Sequence, residues 1–390
     1  KIDIKMFLRM NCAFIRRRRI KPINYGKKTA YQLETKSVGC AMKKIFYTLG
    51  QVFILSLVLF LCSELYLAHK GITLEWLRNR EKFLDSWVPV DLLSAVKRCG
   101  WGYEKNSHTH SAEDYNALIN TGQDGLRVSR PELDKKGKHH TAFFGCSYTF
   151  GEGINDEETM VYKLNDKYPN EVFDNYGVSG YGTVQSLIVM QDVLEQNKYD
   201  LIVYCATRPQ FARNIEKRVV GDLHINRTYC IAPRVKFYSN GSYKISDNSA
   251  LLWPGQNHFL TIDWLHRVYF GMTYDLAILS DEKTISTEHW QKRLEAMSKL
   301  IKLMQEACFK KKVRFLVVST SDMKDGALKD VQLDKAIEYI NIDHPQSMEA
   351  NYRVKNIGTN HPNGKVHAYW AEQFSQWYDK NILQLEKKLN

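Results

Sequence analysis

From His140 onward, short apolar runs of strand length alternate with stretches of helical spacing, and few folds accept that order. His140–Gly145, Glu171–Asn175, Asp200–Ala206, Val313–Ser319 and Ile337–Ile342 are the strand candidates. Asp156–Tyr168, Thr183–Asn197 and residues 289–310 read as helices between them, and Pro362–Lys380 as a closing helix. Asp200–Ala206 is apolar nearly throughout, as a strand buried on both faces would be. Trp290, Leu294, Met297, Ile301, Met304 and Cys308 recur at spacings of three and four and so line one helix face. Asp156 stands near an N-cap, with Glu157 and Glu158 in the first turn, where the dipole favours them. The alternation predicts an α/β fold, a three-layer α/β/α domain on a parallel sheet. Residues 207–288 interrupt it and read as an insertion after the third strand. There Arg234–Ile245 alternates around Asn240-Gly241, a hairpin signal.

Ahead of this domain, no charge occurs from Ile45 through Ser63. Ile45–Leu61, extended by Glu64 to Leu67, is long enough to cross a bilayer core of about 30 Å. A buried core helix would show a polar face, and this run is apolar all round. Residues 45–67 therefore read as a single transmembrane signal-anchor. Lys43 and Lys44 precede it, which places the N-terminus in the cytoplasm and the chain from about residue 69 on the extracytoplasmic side. No small-residue cleavage site follows, so the anchor is expected to stay. Met42-Lys43-Lys44 resembles the start of an export signal, and residues 1–41 then read as translated upstream sequence. A polybasic segment held at an anionic leaflet is the alternative.

Charge excludes one function class. The chain carries a formal +12, but residues 1–44 hold 13 Lys/Arg against 2 Asp/Glu, and the other 346 residues are nearly balanced. The basicity belongs to the tail, so a basic nucleic-acid groove on the folded domain is not expected. The eight cysteines lack close spacing, which argues against a disulfide framework or a zinc knuckle. Cys205 and Cys308 sit in apolar contexts and are expected in the core. Residues 68–139 form a lead-in, with Leu74–Phe83 at helical spacing, loops with short strands at Gly100–Tyr103 and Asn120–Arg127, and a polar linker at Asp134–His140.

Three segments carry the chemistry. In a doubly wound sheet ligands bind outside the carboxyl ends of the strands. Gly145-Cys146-Ser147-Tyr148-Thr149-Phe150-Gly151-Glu152-Gly153 leaves the first strand at such an end, where a serine can present its hydroxyl to a cleft. Taken alone the loop is a Gly-rich turn: it lacks GxxxxGK[ST], and Thr149 breaks the GxSxG elbow. Asn175-Tyr176-Gly177-Val178-Ser179-Gly180-Tyr181-Gly182 follows the second strand, and its glycines allow close backbone approach to a ligand. Asn360-His361-Pro362-Asn363 stands before the last helix and offers a base for Ser147. His108-Thr109-His110 has no third metal ligand in view, His139-His140 reads as an exposed linker, and His367 is expected to face solvent. Asn226-Arg227-Thr228 and Asn240-Gly241-Ser242 match the glycosylation pattern, which arises easily by chance.

In these three segments the sequence resembles the SGNH hydrolase superfamily, the GDSL-type esterases and lipases. Residues 144–151 look like the first block, 175–180 like the second, and His361-Pro362-Asn363 like the last. Gly100-Trp101 and Asn120-Thr121-Gly122 to Gly125-Leu126-Arg127 are also like the lead-in of exported members, so the match covers roughly residues 95–380. The resemblance implies Ser147 as nucleophile, His361 as general base, and the backbone N–H groups of Ser147 and Gly180 as the oxyanion hole, with no cofactor or metal. It implies a flavodoxin-like sheet and a serine esterase acting through an acyl-enzyme. Its substrate would be an ester, such as an O-acetyl group on a glycan. An O-acyltransferase using the same serine and an inactive glycan-binding or scaffold module are the alternatives. Two departures bear on them. Thr207-Arg208-Pro209-Gln210 stands where the family brings an oxyanion-hole Asn, with Arg208 or Gln210 as substitute donor. The positions of the triad acid hold Gly358 and Thr359, which leaves Asp343 or a backbone carbonyl to orient the imidazole.

Overall fold

The computed structural model describes residues 27–70, 92–96, 98–111, 117–130, 139–196, 198–215, 223–225, 228–230, 232–246, 261, 286–320, 326–354 and 361–384. The chain divides into two units, Lys1–His69 and Lys70–Asn390. The expected helix at Leu74–Phe83 and most of the polar linker at 134–140 lie outside the described residues.

In the first unit, α1 runs over Lys27–His69. Its Lys44–His69 part has 26 residues and contains an 18-residue stretch with a mean hydropathy of 2.3. A helix of that size is about 39 Å long, against a hydrocarbon core of about 30 Å. Among the described residues it is the one helix long and apolar enough to cross a membrane.

The second unit opens with two antiparallel hairpins, β1 (Leu93–Val96) with β2 (Gly100–Tyr103) and β3 (His108–Ser111) with β4 (Ala117–Asn120). The elements that follow are β5 (His140–Gly145), the single turn α2 (Ser147–Phe150), α3 (Met160–Lys167) and β6 (Val172–Gly177). After them come α4 (Thr183–Leu194), β7 (Leu201–Ala206) and α5 (Pro209–Ile215). Two small antiparallel hairpins lie in the interrupting region, β8 (Leu223–Ile225) with β9 (Thr228–Cys230) and β10 (Val235–Phe237) with β11 (Tyr243–Ile245). The second turns at Asn240-Gly241, where Gly241 takes a left-handed φ of 82°. The chain then forms α6 (Thr287–Lys310), β12 (Arg314–Ser319), β13 (Glu338–Asn341) and α7 (Gly364–Tyr378).

Five strands make one parallel sheet in the order β13-β12-β7-β5-β6. Side chains alternate between its faces because a strand repeats every two residues. Phe144, Ile202, Tyr204 and Val317 face a core shared with α4, α5, α6 and the lead-in residues Trp101 and Ile119. Phe143, Val203, Leu316 and Val318 face a second core with α3 and α7, centred on Leu164, Trp370 and Phe374. The result is the expected three-layer α/β/α arrangement. Cys205 and Cys308 are both fully buried in it. The chain goes from β5 out to β6 and returns on the other side as β7. Connections therefore diverge between β5 and β7, which opens a crevice at their carboxyl ends.

Two local expectations are corrected. The helix expected over 156–168 is split into a 3₁₀ turn at Asp156–Glu158 and α3. Thr159 separates them in an extended conformation, and its side chain accepts the Tyr162 N–H as an N-cap. His367, expected to face solvent, is buried at 1% exposure. Its Nδ1 accepts the Met160 N–H at 3.1 Å, so the ring satisfies a donor in the first turn of α3.

Candidate active site

Ser147 stands at the divergence point. β5 ends at Gly145, Cys146 is extended, and Ser147 begins the single turn α2. The Ser147 carbonyl accepts the N–H groups of Gly151 and Glu152. The turn can rest on β6 because residue 177 is glycine: a Cβ there would collide with the Phe150 backbone nitrogen. On the β7 side, the Cys146 thiol meets the Thr207 hydroxyl at 3.3 Å. Below the loop, Arg127 is 1% exposed. Its guanidinium donates to the carbonyls of Phe150, Gly151 and Ile154 and to Asp156 at 2.6 Å. A rigid fork of donors fixes several loop carbonyls at once.

His361 comes from the other end of the chain. Its carbonyl accepts the Val354 N–H, and Pro362 bridges to Arg353. Asn363 caps α7 through the Lys365 N–H and also donates to the Asn351 carbonyl. These contacts set Nε2 of His361 2.8 Å from Oγ of Ser147, across 214 residues of sequence. The ring packs edge-on against Tyr148 at 5.4 Å. Burial, helped by Arg213 and Arg353, pushes the His361 pKa down to about 3. The imidazole is therefore neutral at ordinary pH, the state in which Nε2 can take a proton. Ser147 and His361 are each 6% exposed.

Gly180 lies on the loop after β6, next to Ser179, whose hydroxyl bonds Glu152 near His361. Trp101 Nε1 donates to the Ser179 carbonyl at 2.9 Å. The Tyr103 hydroxyl accepts the Ser179 N–H and donates to Ser179 Oγ. Gly180 takes φ 79°, and a Cβ there would sit 3.1 Å from Trp101 Cζ2. Gly180→Ala is expected to cost about 1–2 kcal/mol, the penalty of a left-handed L-residue, read as a lowered urea midpoint. It should also reduce kcat if the Gly180 N–H holds the oxyanion.

A carboxylate that sequence reasoning passed over completes the site. Glu152 is 2% exposed. Its Oε2 accepts from Ser179 Oγ at 2.6 Å and lies 3.9 Å from Nε2 of His361. Burial pushes its pKa up to about 8, with Ser179, Arg213 and Arg127 acting the other way. An acid held between two glycines of the nucleophile loop was the available signal. Arg127 and Tyr103 stand in the lead-in, where nothing in the sequence gives either a role at the site.

The other candidates separate. Asp343 Oδ2 accepts from Ser319 Oγ at 2.8 Å. Gly358, Thr359 and Asn360 lie outside the described residues. Arg208 is stacked over Trp290 at 4.8 Å. Gln210 is fully buried, and its Oε1 accepts from the Thr207 N–H and the Tyr204 hydroxyl. That leaves the amide nitrogen without a hydrogen-bond partner, and the buried Nε of Arg208 has none either, so the structure does not choose between the two substitutes. Asn240 is exposed at a hairpin tip, and the 226–227 pair lies outside the described residues. Among the described residues, no three His, Cys, Asp or Glu side chains group as metal ligands would.

No known family profile matches the chain, and no curated protein matches it. Among solved structures it is similar to a lipolytic protein of the G-D-S-L family from Veillonella parvula, at 12% identity and a TM-score of 0.30, over 61% of this chain and 96% of that one. It is similar to a psychrotrophic esterase from Pseudoalteromonas, at 12% identity and a TM-score of 0.32, over 62% of this chain and all of that one. It is also similar to a two-domain esterase active on acetylated mannans, at 12% identity and a TM-score of 0.31, over 63% of this chain and 50% of that one. At such identity and TM-score the chemistry rests on the geometry of Ser147, His361, Gly180 and Glu152.

Proposed function

We propose that this chain is a membrane-anchored serine ester hydrolase of SGNH type. The observation that carries the reading is the 2.8 Å contact between Oγ of Ser147 and Nε2 of a neutral, buried His361. Its place at the carboxyl end of β5, where the strand order reverses, supports it. His361 takes the Ser147 proton, and Oγ attacks an ester carbonyl. The carbonyl electrons move onto oxygen, held by the N–H groups of Ser147 and Gly180. Collapse breaks the bond to the alcohol, which leaves with the proton from His361. Water activated by His361 then releases the acid. A positioned general base contributes roughly 10²–10⁴-fold, and one oxyanion donor roughly 10²–10³-fold.

The helix Lys44–His69 supports single-pass anchoring, and Lys43 and Lys44 favour the extracytoplasmic side for the hydrolase unit. An O-acetyl group on a glycan is the substrate we infer from the resemblance and that location. A second reading is acyl transfer to a sugar hydroxyl, favoured by the burial of Ser147 and His361, which keeps water scarce at the acyl-enzyme. The test uses the full chain in detergent with a fluorophosphonate probe and then with an acetylated glycan, with and without a sugar acceptor. Labelling at Ser147 with release of free acetate supports hydrolysis, and acetate appearing only on the acceptor supports transfer. A folded chain that neither labels nor turns over ester would sink both.

A further inference from the structure

We propose that Glu152 is a positioning residue of this centre: its carboxylate, fastened by Ser179 3.9 Å from Nε2 of His361, balances the imidazolium that forms as Ser147 attacks. The inference rests on the esterase reading above and adds a counter-charge to it. A buried imidazolium is costly to form unless a counter-charge is built in. Around His361 the nearby cations make it costlier, since Arg213 and Arg353 both act against its protonation. Asp343, the acid offered by the sequence, is engaged by Ser319. Among the described residues Glu152 is a carboxylate set near His361, five residues beyond Ser147, its own N–H bonded to the Ser147 carbonyl.

The proton inventory is simple. Ser147 gives its proton to Nε2 of His361, and Glu152 receives none. Ser179 keeps donating to Glu152 while Tyr103 donates to Ser179, so the anion is held by a hydrogen-bonded relay from β2. The charged and titratable groups facing Glu152 are Arg127 from the lead-in, Arg213 from α5, Tyr103 from β2 and His361 itself. With its pKa near 8, the carboxyl is mostly neutral at pH 7 and becomes an anion as pH rises through about 8. His361, near 3, is already neutral across that window. The reactivity of Ser147 therefore climbs through about pH 8, on the ionisation of Glu152, and shows no limb near the ordinary histidine value.

The experiment follows the rate of fluorophosphonate labelling of the full chain in detergent from pH 5 to 10. In that reaction the Ser147 Oγ–P bond forms, P–F breaks, fluoride leaves, and the proton taken up by His361 passes on to solvent. Wild type should rise with a midpoint near 8. Glu152→Gln should be flat and roughly 10²-fold slower at pH 9. Ser179→Ala should keep the rise but move its midpoint upward, because the lost hydrogen bond lowers the Glu152 pKa. The Ser179 variant retains the carboxylate and carries the test if the Gln variant does not fold. A flat wild-type profile with Ser147 labelled, or a limb that survives Glu152→Gln, overturns the role of Glu152 and leaves the esterase reading standing. A wild type that never labels at Ser147 removes the esterase reading and this inference with it.

Discussion

Ser147→Ala is expected to lower kcat/KM for an activated ester by about 10⁴–10⁶-fold, and His361→Ala by a comparable factor. On the proposed mechanism the two side chains act as one unit, with Nε2 of His361 2.8 Å from Oγ of Ser147. Losing the hydroxyl removes the acyl-enzyme route. Losing the imidazole leaves a hydroxyl whose proton has no acceptor at that position. The double variant should therefore be little slower than either single one, because the second change removes nothing that still functions. Steady-state kinetics on the three proteins, with thermal melts to show that each is folded, checks this. Multiplicative losses in the double variant would mean that the two residues contribute separately and that their contact is structural. Both singles should keep the residual rate that the oxyanion hole and binding supply, roughly 10³–10⁴ over water.

Arg127→Ala should be the most damaging substitution outside the reacting pair. The guanidinium is fully enclosed, and its partner Asp156 has a side chain only 8% exposed. Removing one member of a buried ion pair leaves the other uncompensated, at about 3–5 kcal/mol. The carbonyls of Phe150, Gly151 and Ile154 lose a donor at the same moment. Urea denaturation should show a midpoint lowered by that amount with an unchanged slope. Arg127→Lys should recover only part of it, since one ammonium cannot span the four acceptors. Arg127→Ala combined with Asp156→Asn should lose less than the sum of the singles, because the second change relieves a stranded charge. A variant that melts like wild type would show that the loop carbonyls are satisfied without Arg127.

The sheet was legible chiefly because its central strands are short apolar runs bounded by polar turns. β7 reads directly from Leu201–Ala206, every residue of which is buried. Ser147 and His361, which the structure sets 2.8 Å apart, were legible as a candidate pair because each stands in a loop with glycine or proline close by, at the end of an element, where a side chain is free to project. Glu152 and Arg127 were not, because charged residues in polar loops are ordinarily solvated. Only the three-dimensional packing of the lead-in over the nucleophile loop shows that both are enclosed. His367 misled for a related reason. A histidine in the first turn of a surface helix suggests solvent, yet α7 turns that position toward the start of α3, where an N–H needs an acceptor. The split at Thr159 was hidden because a 3₁₀ turn followed by a capped helix has the same apolar spacing as one helix.

The hairpins before β5 have a bearing on how such a chain can be recombined. Trp101, Tyr103 and Arg127 precede the first sheet strand, yet between them they hold the Ser179 peptide and the carbonyls of the nucleophile loop. A chimera joined at residue 139 would inherit Ser147 and His361 but exchange the groups that fix their loops. The two halves of that junction are thus coupled as a unit of inheritance. A crossover that preserves the pairings between hairpin and loop has to fall on the N-terminal side of β1, which begins at Leu93.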